Sequence, residues 1–536
     1  MRRAILLCAC IGAGGLPAGA ADPVSAFPRP AWFRQHFAAP ARVELQPLRR
    51  LSDSVAGGNL ELSLRAYLEL ALQNNADIAL ARLQVEMPAN AITRAMADYD
   101  PNFLASFGSI RSTQTSISAL DGEPTVKTLQ QPFRGTYSQL LPSGTNLSVE
   151  YEAQRYSTNQ AFSTYNPILS SNLTVQFDQP LLRNRGASLT KLNLMVARST
   201  LRIGHYQLRD QVTRLIANAE NIYWNVVGAR ENLALANKFL ELRAAGLDRA
   251  QKQVDAGALL PLDIFQSKSD YASAQVAVIQ AKRALAEQEN ALRQQIGADL
   301  DPAVRDLPIV LTEPLVIPMI APPDREEAAR KALQARPDYL AGAAALDVDD
   351  LGIRKAAETL RPSLSLMGNY ESQGLGGTYL PLGAPGGLGD ALSQMFSFAS
   401  PSYSVGLRLT FPIRDHAAAA NLADAQVRKK QDELTLRKLE QTLRLQVLDA
   451  VEDLEAARAS LEQAQLARDY ADKRFAAEQK KYDLGIEQLF FVLMAQTDLN
   501  AAEAAVLQQS INYRYNLINL YEMTGQLLEE RGITVE

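Results

Sequence analysis

The sequence contains two long stretches that recur at fixed distances along the chain. Residues 71–101 align without a gap with residues 332–362. Residues 215–297 align in the same way, at a second constant offset, with residues 443–525. The spacings, 261 and 228 residues, are far longer than a solenoid module of roughly 20 to 50 residues, so they predict two equivalent halves within one fold. A fold assigned to one half must also suit the other.

Length and charge limit the number of domains and the class of partner. The chain has 536 residues, which is enough for several domains, but the repeat favours one interlocked body. The formal net charge is -5, and no basic run occurs. A nucleic-acid-binding surface is therefore not expected.

Residues 1–20 have the pattern of a secretory signal peptide. Two arginines precede an apolar run, and the segment ends in small residues that suit cleavage. Both cysteines, Cys8 and Cys10, lie in this segment, so the mature chain is expected to have no disulfide and no cysteine-bound metal. Too little apolar sequence precedes Cys10 for a lipoprotein signal, so lipidation is not expected. An N-terminal extension follows over residues 21–59.

Beyond the signal peptide, no stretch is apolar for the roughly 18 residues that a spanning helix needs. A spanning helix is therefore not predicted. An exported chain of this kind is either a soluble periplasmic or extracellular protein, or a protein that crosses an outer membrane as a β-barrel.

Each half begins with a helical pattern and continues as strands. Residues 62–97 have helical spacing, although Pro88 is expected to kink or interrupt the helix. After Pro101 the period becomes two, most clearly over residues 145–154, and the second half repeats this pattern over residues 404–411. One apolar and one polar face suit a lipid-facing barrel with a wet lumen. They suit a soluble, half-exposed sheet as well, and alternation alone favours that sheet.

The regions between the strands differ in the two halves. Residues 371–401 are rich in glycine, which predicts an irregular loop that is unfit for a packed core. The strand region of the first half, 101–180, is longer than its counterpart, 362–412, and contains the turn sequence LPSGT at residues 141–145. We therefore expect an additional hairpin in the first half.

After the strands, each half has a long helical stretch with a heptad seam. In the second half the seam includes Leu443, Val447, Leu454 and Leu461. The aligned positions of the first half also hold apolar residues. A helix over residues 188–254 would be on the order of 100 Å long. No globular core is that wide, so the helix must run beside partners, as in a coiled coil or a helical barrel.

A glycine ends each long helix, and a return helix follows. Gly257 and Gly485 suit the left-handed conformation at a helix end. Return helices are predicted over residues 262–296 and 488–524. The predicted organisation is a first repeat (60–297), a proline-rich linker (298–327), a second repeat (328–526) and a C-terminal tail (527–536).

This order of elements resembles the TolC-like outer-membrane efflux proteins, or outer membrane factors. The resemblance covers roughly residues 60–530 and is most specific at 481–489 (KYDLGIEQL), 254–263 (VDAGALLPLD) and 179–183 (QPLLR). It implies an α+β membrane protein, a homotrimer whose strands close one outer-membrane β-barrel that a long periplasmic α-helical barrel continues. Two strands from each half give the family's twelve-stranded barrel, which an additional hairpin would enlarge.

The resemblance also implies partners and a function. The chain would be a passive exit duct in the outer membrane that docks on a periplasmic adaptor and on an inner-membrane pump of RND, ABC or MFS type. Two other functions stay open at this point. One is the same duct in type I protein secretion, and the other is a periplasmic coiled-coil scaffold without a pore.

The two glycine turns are the candidate docking tips for the adaptor. They would present backbone and short apolar side chains to a helical hairpin of the adaptor. The other interpretation is that these turns only cap helices, because glycine at a helix end is common. The tip residues are Ala256, Gly257, Ala258 and Leu259 in one half and Leu484, Gly485 and Ile486 in the other.

A periplasmic gate is also implied by the resemblance. In the family, a tyrosine before one tip glycine and an aspartate after the other tie neighbouring helices, and Tyr482 and Asp263 match them. Glu487 stands where some members have an arginine, and Phe491 and Met494 align with carboxylates that ring the tunnel in those members. This implies an apolar gate that closes by dewetting rather than a cation-trapping ring. Packing of these side chains between helices is the other interpretation.

The sequence offers little for catalysis, so an enzyme is not expected. His36, His205 and His416 are far apart, and none has the spacing of a metal ligand. The phosphate-binding pattern GxxxxGK does not occur in the sequence. No cofactor and no metal are expected.

Overall fold

The computed structural model describes residues 51–185, 191–256, 262, 264–314, 319–381 and 383–534. The predicted signal peptide and most of the predicted extension lie outside these ranges. The helices of the described part are α1 (Leu64–Asn74), α2 (Ala76–Met96), α3 (Leu192–Asp255), α4 (Ile264–Gln295), α5 (Arg325–Ala335), α6 (Pro337–Thr359), α7 (Leu388–Phe396), α8 (His416–Asp483), α9 (Leu489–Thr524) and α10 (Leu527–Glu530).

The short helices at the start of each half lie at equivalent sequence positions. The spacing between them is the one that relates residues 71–101 to residues 332–362. Helices α1 and α5 both start and end at positions related by this offset, and α2 and α6 start at such positions. The Ser63 hydroxyl accepts a hydrogen bond from the Ala66 N–H, and the Asp324 carboxylate, at the equivalent position, accepts one from the Glu327 N–H. Such side-chain caps satisfy backbone donors that a helix start leaves unpaired.

One detail of the predicted first helix is wrong. The single helix expected over residues 62–97 is two helices, and the break is at Asn75, whose side chain caps α2 through the Asp77 N–H. Helix α2 continues through Pro88. A β-carbon on Gly204 of α3 would lie 3.6 Å from the Pro88 ring, so a residue without a side chain faces the proline. Asn75 breaks the helix because its amide replaces the helical hydrogen bonding at that point.

The two long helices are as extended as the heptad pattern predicts. Helices α3 and α8 have 64 and 68 residues, which corresponds to roughly 100 Å each. They end at equivalent positions of the two halves, Asp255 and Asp483, and α4 and α9 return along them. The predicted seam of α8 is buried against Tyr513 and Leu517 of α9.

One helical segment of the described chain, Phe490–Thr524, is long and apolar enough to span a membrane by length and composition alone. The sequence did not predict a spanning helix. The segment belongs to α9, which returns along α8 and buries part of its apolar surface in the seam. Packing between helices explains its composition as well, so the finding is weak evidence for a span.

The largest buried cluster lies where α1, α3 and α4 meet a small sheet. Strand β2 (Asn59–Leu62) pairs with β1 (Val55–Ala56) and, in parallel, with β8 (Ile309–Leu311). Strand β8 belongs to the predicted proline-rich linker, which therefore packs on the helices. Among the largest buried side chains of this cluster are Tyr67, Tyr223 and Trp224.

A second, antiparallel sheet has seven strands in the described residues. Its order is β10-β9-β7-β6-β5-β3, with β4 also paired to β5. Strands β3 and β4 pair with β5 in one continuous register, and the Gly108 N–H donates to the Pro132 carbonyl between them. The sheet thus has six strand positions. The strands are β3 (Asn102–Phe107), β4 (Ile110–Thr115), β5 (Thr125–Leu140), β6 (Asn146–Thr158), β7 (Tyr165–Pro180), β9 (Ser363–Tyr379) and β10 (Pro401–Thr410).

The additional hairpin that the sequence predicts is present as β5 and β6. At its turn the Leu141 N–H donates to the Thr145 carbonyl, and the Gly144 N–H donates to the Leu141 carbonyl. Gly144 has φ 87°, a left-handed value that glycine adopts without strain.

The glycine-rich region of the second half is more ordered than the sequence predicts. Strand β9 extends to Tyr379, and α7 packs on its glycine-containing end. A β-carbon at Gly374 would lie 1.8 Å from the Ala391 carbonyl oxygen, and one at Gly376 would lie 2.3 Å from the Gly387 oxygen. The expected irregular loop is therefore wrong for much of residues 371–401, because these glycines allow a helix to pack directly on a strand.

The C-terminal segment is joined to the first half by a buried ion pair. The Arg531 guanidinium donates to both carboxylate oxygens of Glu220, at 2.8 and 2.6 Å, and the Glu220 side chain is fully buried. The Trp224 indole N–H donates to the same carboxylate. A bidentate pair of this kind fixes the position of the chain end on α3.

We predict that Arg531→Ala lowers the free energy of unfolding by about 3 to 5 kcal/mol, because Glu220 would stay buried without its partner. Urea denaturation in detergent, followed by circular dichroism, measures this loss. Arg531→Ala combined with Glu220→Gln should recover part of it, since the double variant buries no unpaired carboxylate. Equal stability of Arg531→Ala and the parent protein would contradict the prediction.

Candidate functional site at the helix tips

The turn between α8 and α9 is a well-formed helix end. The Gly485 N–H donates to the Tyr482 carbonyl and the Ile486 N–H to the Lys481 carbonyl, at 2.9 and 3.0 Å. Gly485 has φ 73°, as this Schellman arrangement requires. The Leu484 and Ile486 side chains are 74% and 72% exposed. The turn therefore caps α8 and also presents two large apolar side chains to solvent.

The turn between α3 and α4 is described only at its margins. Ala256 is the exposed C-cap residue of α3, and Leu262 beyond the turn is 76% exposed. The predicted tip residues Gly257, Ala258 and Leu259 and the predicted gate residue Asp263 lie outside the described residues. The expected tie between Tyr482 and Asp263 therefore stays a prediction.

Tyr482 contacts the other helix pair through a different residue. The Gln253 side-chain amide on α3 donates to the Tyr482 hydroxyl on α8, at 3.0 Å. This contact places the C-terminal ends of α3 and α8 side by side.

Phe491 and Met494 lie beside the buried face of α9 and are partly exposed. The buried residues of this part of α9 are Val492, Ala495 and Leu499, whereas Phe491 and Met494 are 39% and 37% exposed. The Phe490 ring packs edge-on against the Phe491 ring, with centroids 5.5 Å apart. Packing within the chain thus covers more than half of each side chain, and the apolar gate stays a prediction.

Glu487 lies half-buried in the turn beside a lysine. A hydrogen bond to Glu478 and the charge of that carboxylate raise the pKa of Lys481, and Glu487 adds a smaller contribution of the same sign. Lys481 is thus held as a cation next to the tip.

Two further side-chain ties join the helix pairs above the tips, and the sequence analysis missed them. Lys238 on α3 donates to the Glu503 carboxylate on α9, at 2.8 Å. Arg243 on α3 donates to Thr497 on α9 at 2.9 Å, and it also pairs with Asp270 on α4. The residues that α3 and α9 bring together come from different halves of the sequence, so only the relative register of the helices identifies them.

The described residues hold no grouping that suits a metal ion. Within the ranges that the structure describes, no three His, Cys, Asp or Glu side chains are placed so that they could bind one together.

A comparison with known protein families matches the second half of the chain. Residues 328–526 match the family described as outer membrane efflux protein. The resemblance to outer-membrane efflux proteins is confirmed. The matched segment runs from α5 through both strands of the second half to the Gly525 turn, and it includes Tyr482, Gly485 and Phe491.

The relatives extend the match beyond that segment. The toluene efflux pump outer membrane protein TtgC of Pseudomonas putida is 22% identical over 322 residues, covering 59% of this chain and 61% of TtgC. The chain thus spans less than two thirds of that relative. The pyoverdine export outer membrane protein OpmQ of Pseudomonas aeruginosa is 23% identical over 448 residues, covering 78% and 81% of the two chains.

The fold is shared with solved channel structures. The CmeC outer membrane channel of Campylobacter jejuni has a TM-score of 0.58 at 17% identity, and the match covers 87% of this chain and 86% of CmeC. At this identity the likeness shows the mixed helical and stranded fold of an outer-membrane channel. It carries no information about individual residues.

We predict that Gly485→Ala destabilises the α8–α9 turn by about 1 to 2 kcal/mol, because a β-carbon is unfavourable at a left-handed φ. Gly246→Ala is the matched control, since Gly246 is in the body of α3 with open space around it. That change should be neutral or stabilise by about 0.5 to 1 kcal/mol. Denaturation in urea measures both variants, and equal effects of the two would contradict the prediction.

Proposed function

We propose that this chain is the outer-membrane exit duct of a tripartite efflux system. The observation that carries the proposal is the junction of two structures in one chain. A sheet with one apolar and one polar face is followed in the chain by helical hairpins. The longer helix of each hairpin measures roughly 100 Å. The sheet suits an outer membrane and the hairpins suit the width of a periplasm. The matches to efflux-pump outer membrane proteins support it.

In this proposal three copies form one pore. Strands β10 and β3/β4 are the outer strands of the sheet, and each has one row of backbone groups that no other described strand of the chain pairs with. Lipid cannot hydrogen-bond such an edge, so the sheet must close with further copies. The α3/α4 and α8/α9 pairs of three copies would then form the periplasmic tube. The two repeats, 60–297 and 328–526, supply equivalent parts of its wall, and the linker 298–327 packs outside.

The duct is passive, and a pump provides the energy. The exposed side chains of Leu484 and Ile486, with Ala256 and the rest of the other tip, would contact a periplasmic adaptor that links the duct to an inner-membrane pump. Adaptor contacts shift the tips from closed to open. Within the tube, three copies of Phe491 and Met494 would form an apolar constriction that closes by dewetting.

Small molecules are the favoured cargo. Toluene and pyoverdine are named for two relatives, and both are much smaller than a folded protein. A duct for protein secretion and a soluble scaffold are the two rival functions.

Fractionation and conductance separate these functions. The proposed duct should sediment with outer membranes, migrate as a heat-sensitive trimer and conduct ions in a planar bilayer. Deleting the gene should sensitise cells to small toxic compounds without loss of a secreted protein. A soluble monomer without conductance would contradict the duct and favour the scaffold.

The ties between the helix pairs are expected to hold the closed state. We predict that Lys238→Ala combined with Arg243→Ala raises the ratio of open to closed time by roughly fivefold, because two partly exposed ties contribute about 1 kcal/mol in total. Single-channel recording measures this ratio.

Arg283→Ala is the control for that experiment. The partner of Arg283 is Glu287 on the same helix, so its loss breaks an ion pair without separating the two helix pairs. An equal rise in opening for the control would show that lost charge, and not the lost tie, changes the gate.

A further inference from the structure

The sheet contains one hairpin that the repeat does not explain. Strand β9 starts at Ser363, which the first alignment offset pairs with Asn102 at the start of β3. Strand β10 corresponds, at the second offset, to the C-terminal part of β7. These four positions, with β4 continuing β3, are two for each half. Strands β5 and β6 have no counterpart in the second half.

The additional hairpin lies in the middle of the sheet and is fully paired. Strand β5 pairs with β3 and β4 on one side and with β6 on the other, and β6 pairs with β7 from Asn146 to Tyr156. The hairpin therefore widens the sheet without changing the strands at its edges.

The hairpin has the same two faces as the rest of the sheet. Leu147, Val149 and Tyr151 of β6 pair with Phe177, Val175 and Leu173 of β7 and form an apolar face. Residues between them are polar. On that opposite face Arg134 of β5 forms ion pairs with Glu150 and Glu152 of β6, at 3.1 and 3.3 Å.

Near the helix-side end of the strands, the polar face borders a hollow of about 700 Å³. Strands β5, β6, β7, β9 and β10 each contribute to its lining, through residues that include Ser138, Ser148, Gln176, Asn369 and Ser404. A hollow lined by polar side chains on this face suits a barrel with a water-filled lumen.

The edges of the sheet suit a second copy of this chain. Six antiparallel positions are an even number, so β10 of one copy runs antiparallel to β3/β4 of the next. Tyr403 and Val405 of β10 lie on the apolar face and are 78% and 73% exposed, and Phe103 and Phe107 of β3 lie on the same face and are 69% and 70% exposed. Joining the edges continues both faces across the seam.

We propose that three copies close an outer-membrane ring of eighteen strands, and that β5 and β6 are part of its wall. This inference rests on the proposed trimeric duct and deepens it. Barrel diameter grows roughly in proportion to strand number, so the ring would be about 1.5 times as wide as one of twelve strands. The barrel then does not limit the size of the cargo, and the constriction at the helix tips does.

Cysteine labelling on β6 tests the placement of the hairpin. Ser148→Cys and Val149→Cys are adjacent and point to opposite faces, in a background with Cys8 and Cys10 replaced by serine. In the assembled protein in native outer membranes, a membrane-impermeant charged maleimide should label Ser148→Cys in the lumen. Val149→Cys should lose this labelling because lipid covers it, and it should react with a lipid-soluble maleimide instead. Charged labelling of both positions would place the hairpin outside the wall and overturn the inference.

Counting strands by electron cryomicroscopy of the full-length protein is the second measurement. Eighteen strands in the ring would support the inference. Twelve strands, with β5 and β6 folded away, would overturn it while leaving the conducting duct intact. Absence of conductance in the parent protein would instead overturn the proposed function, so the two failures are distinguishable.

Discussion

This architecture depends on two constraints. Backbone groups at the edges of the large sheet need hydrogen-bond partners, and the long helices need neighbours that cover their surfaces. Two helices of more than sixty residues extend beyond any core that one chain can build, and within the described residues a six-position sheet ends in two edges without a strand partner. In the proposed trimer both problems have the same physical solution. Repeating the chain around an axis would give the helices neighbours along their whole length and would give the edges strand partners.

The two ends of the molecule are held in different ways. At the sheet end, a continuous ladder of backbone hydrogen bonds joins neighbouring strands. These bonds are not expected to break one at a time. The tip end is joined by side-chain ties such as Lys238 to Glu503, whose individual energies are small. In the proposed duct we therefore expect opening to occur at the tips, while the sheet stays intact.

Much of the fold follows from sequence periodicity, and the reason is physical. Heptad spacing, glycines at helix ends and the LPSGT turn each act within a few residues, so the helix ends at Asp255 and Asp483 and the β5–β6 turn could be predicted. The α7 helix on Gly374 and the ties of Arg243 could not. Both depend on how distant segments of the chain pack against each other. A glycine-rich sequence also has the same composition whether it forms an irregular loop or allows a helix to pack closely on a strand. The tip residues were predicted from resemblance, and the structure describes one tip fully.

The pairing of Arg531 with Glu220 has a consequence for synthesis and export. Glu220 lies in the first half, and its partner is 311 residues further along the chain. A nascent chain therefore lacks the contact that neutralises this carboxylate until Arg531 has been synthesised. The whole of α3 is made long before that point, so we expect its buried acid to stay without this partner for much of synthesis.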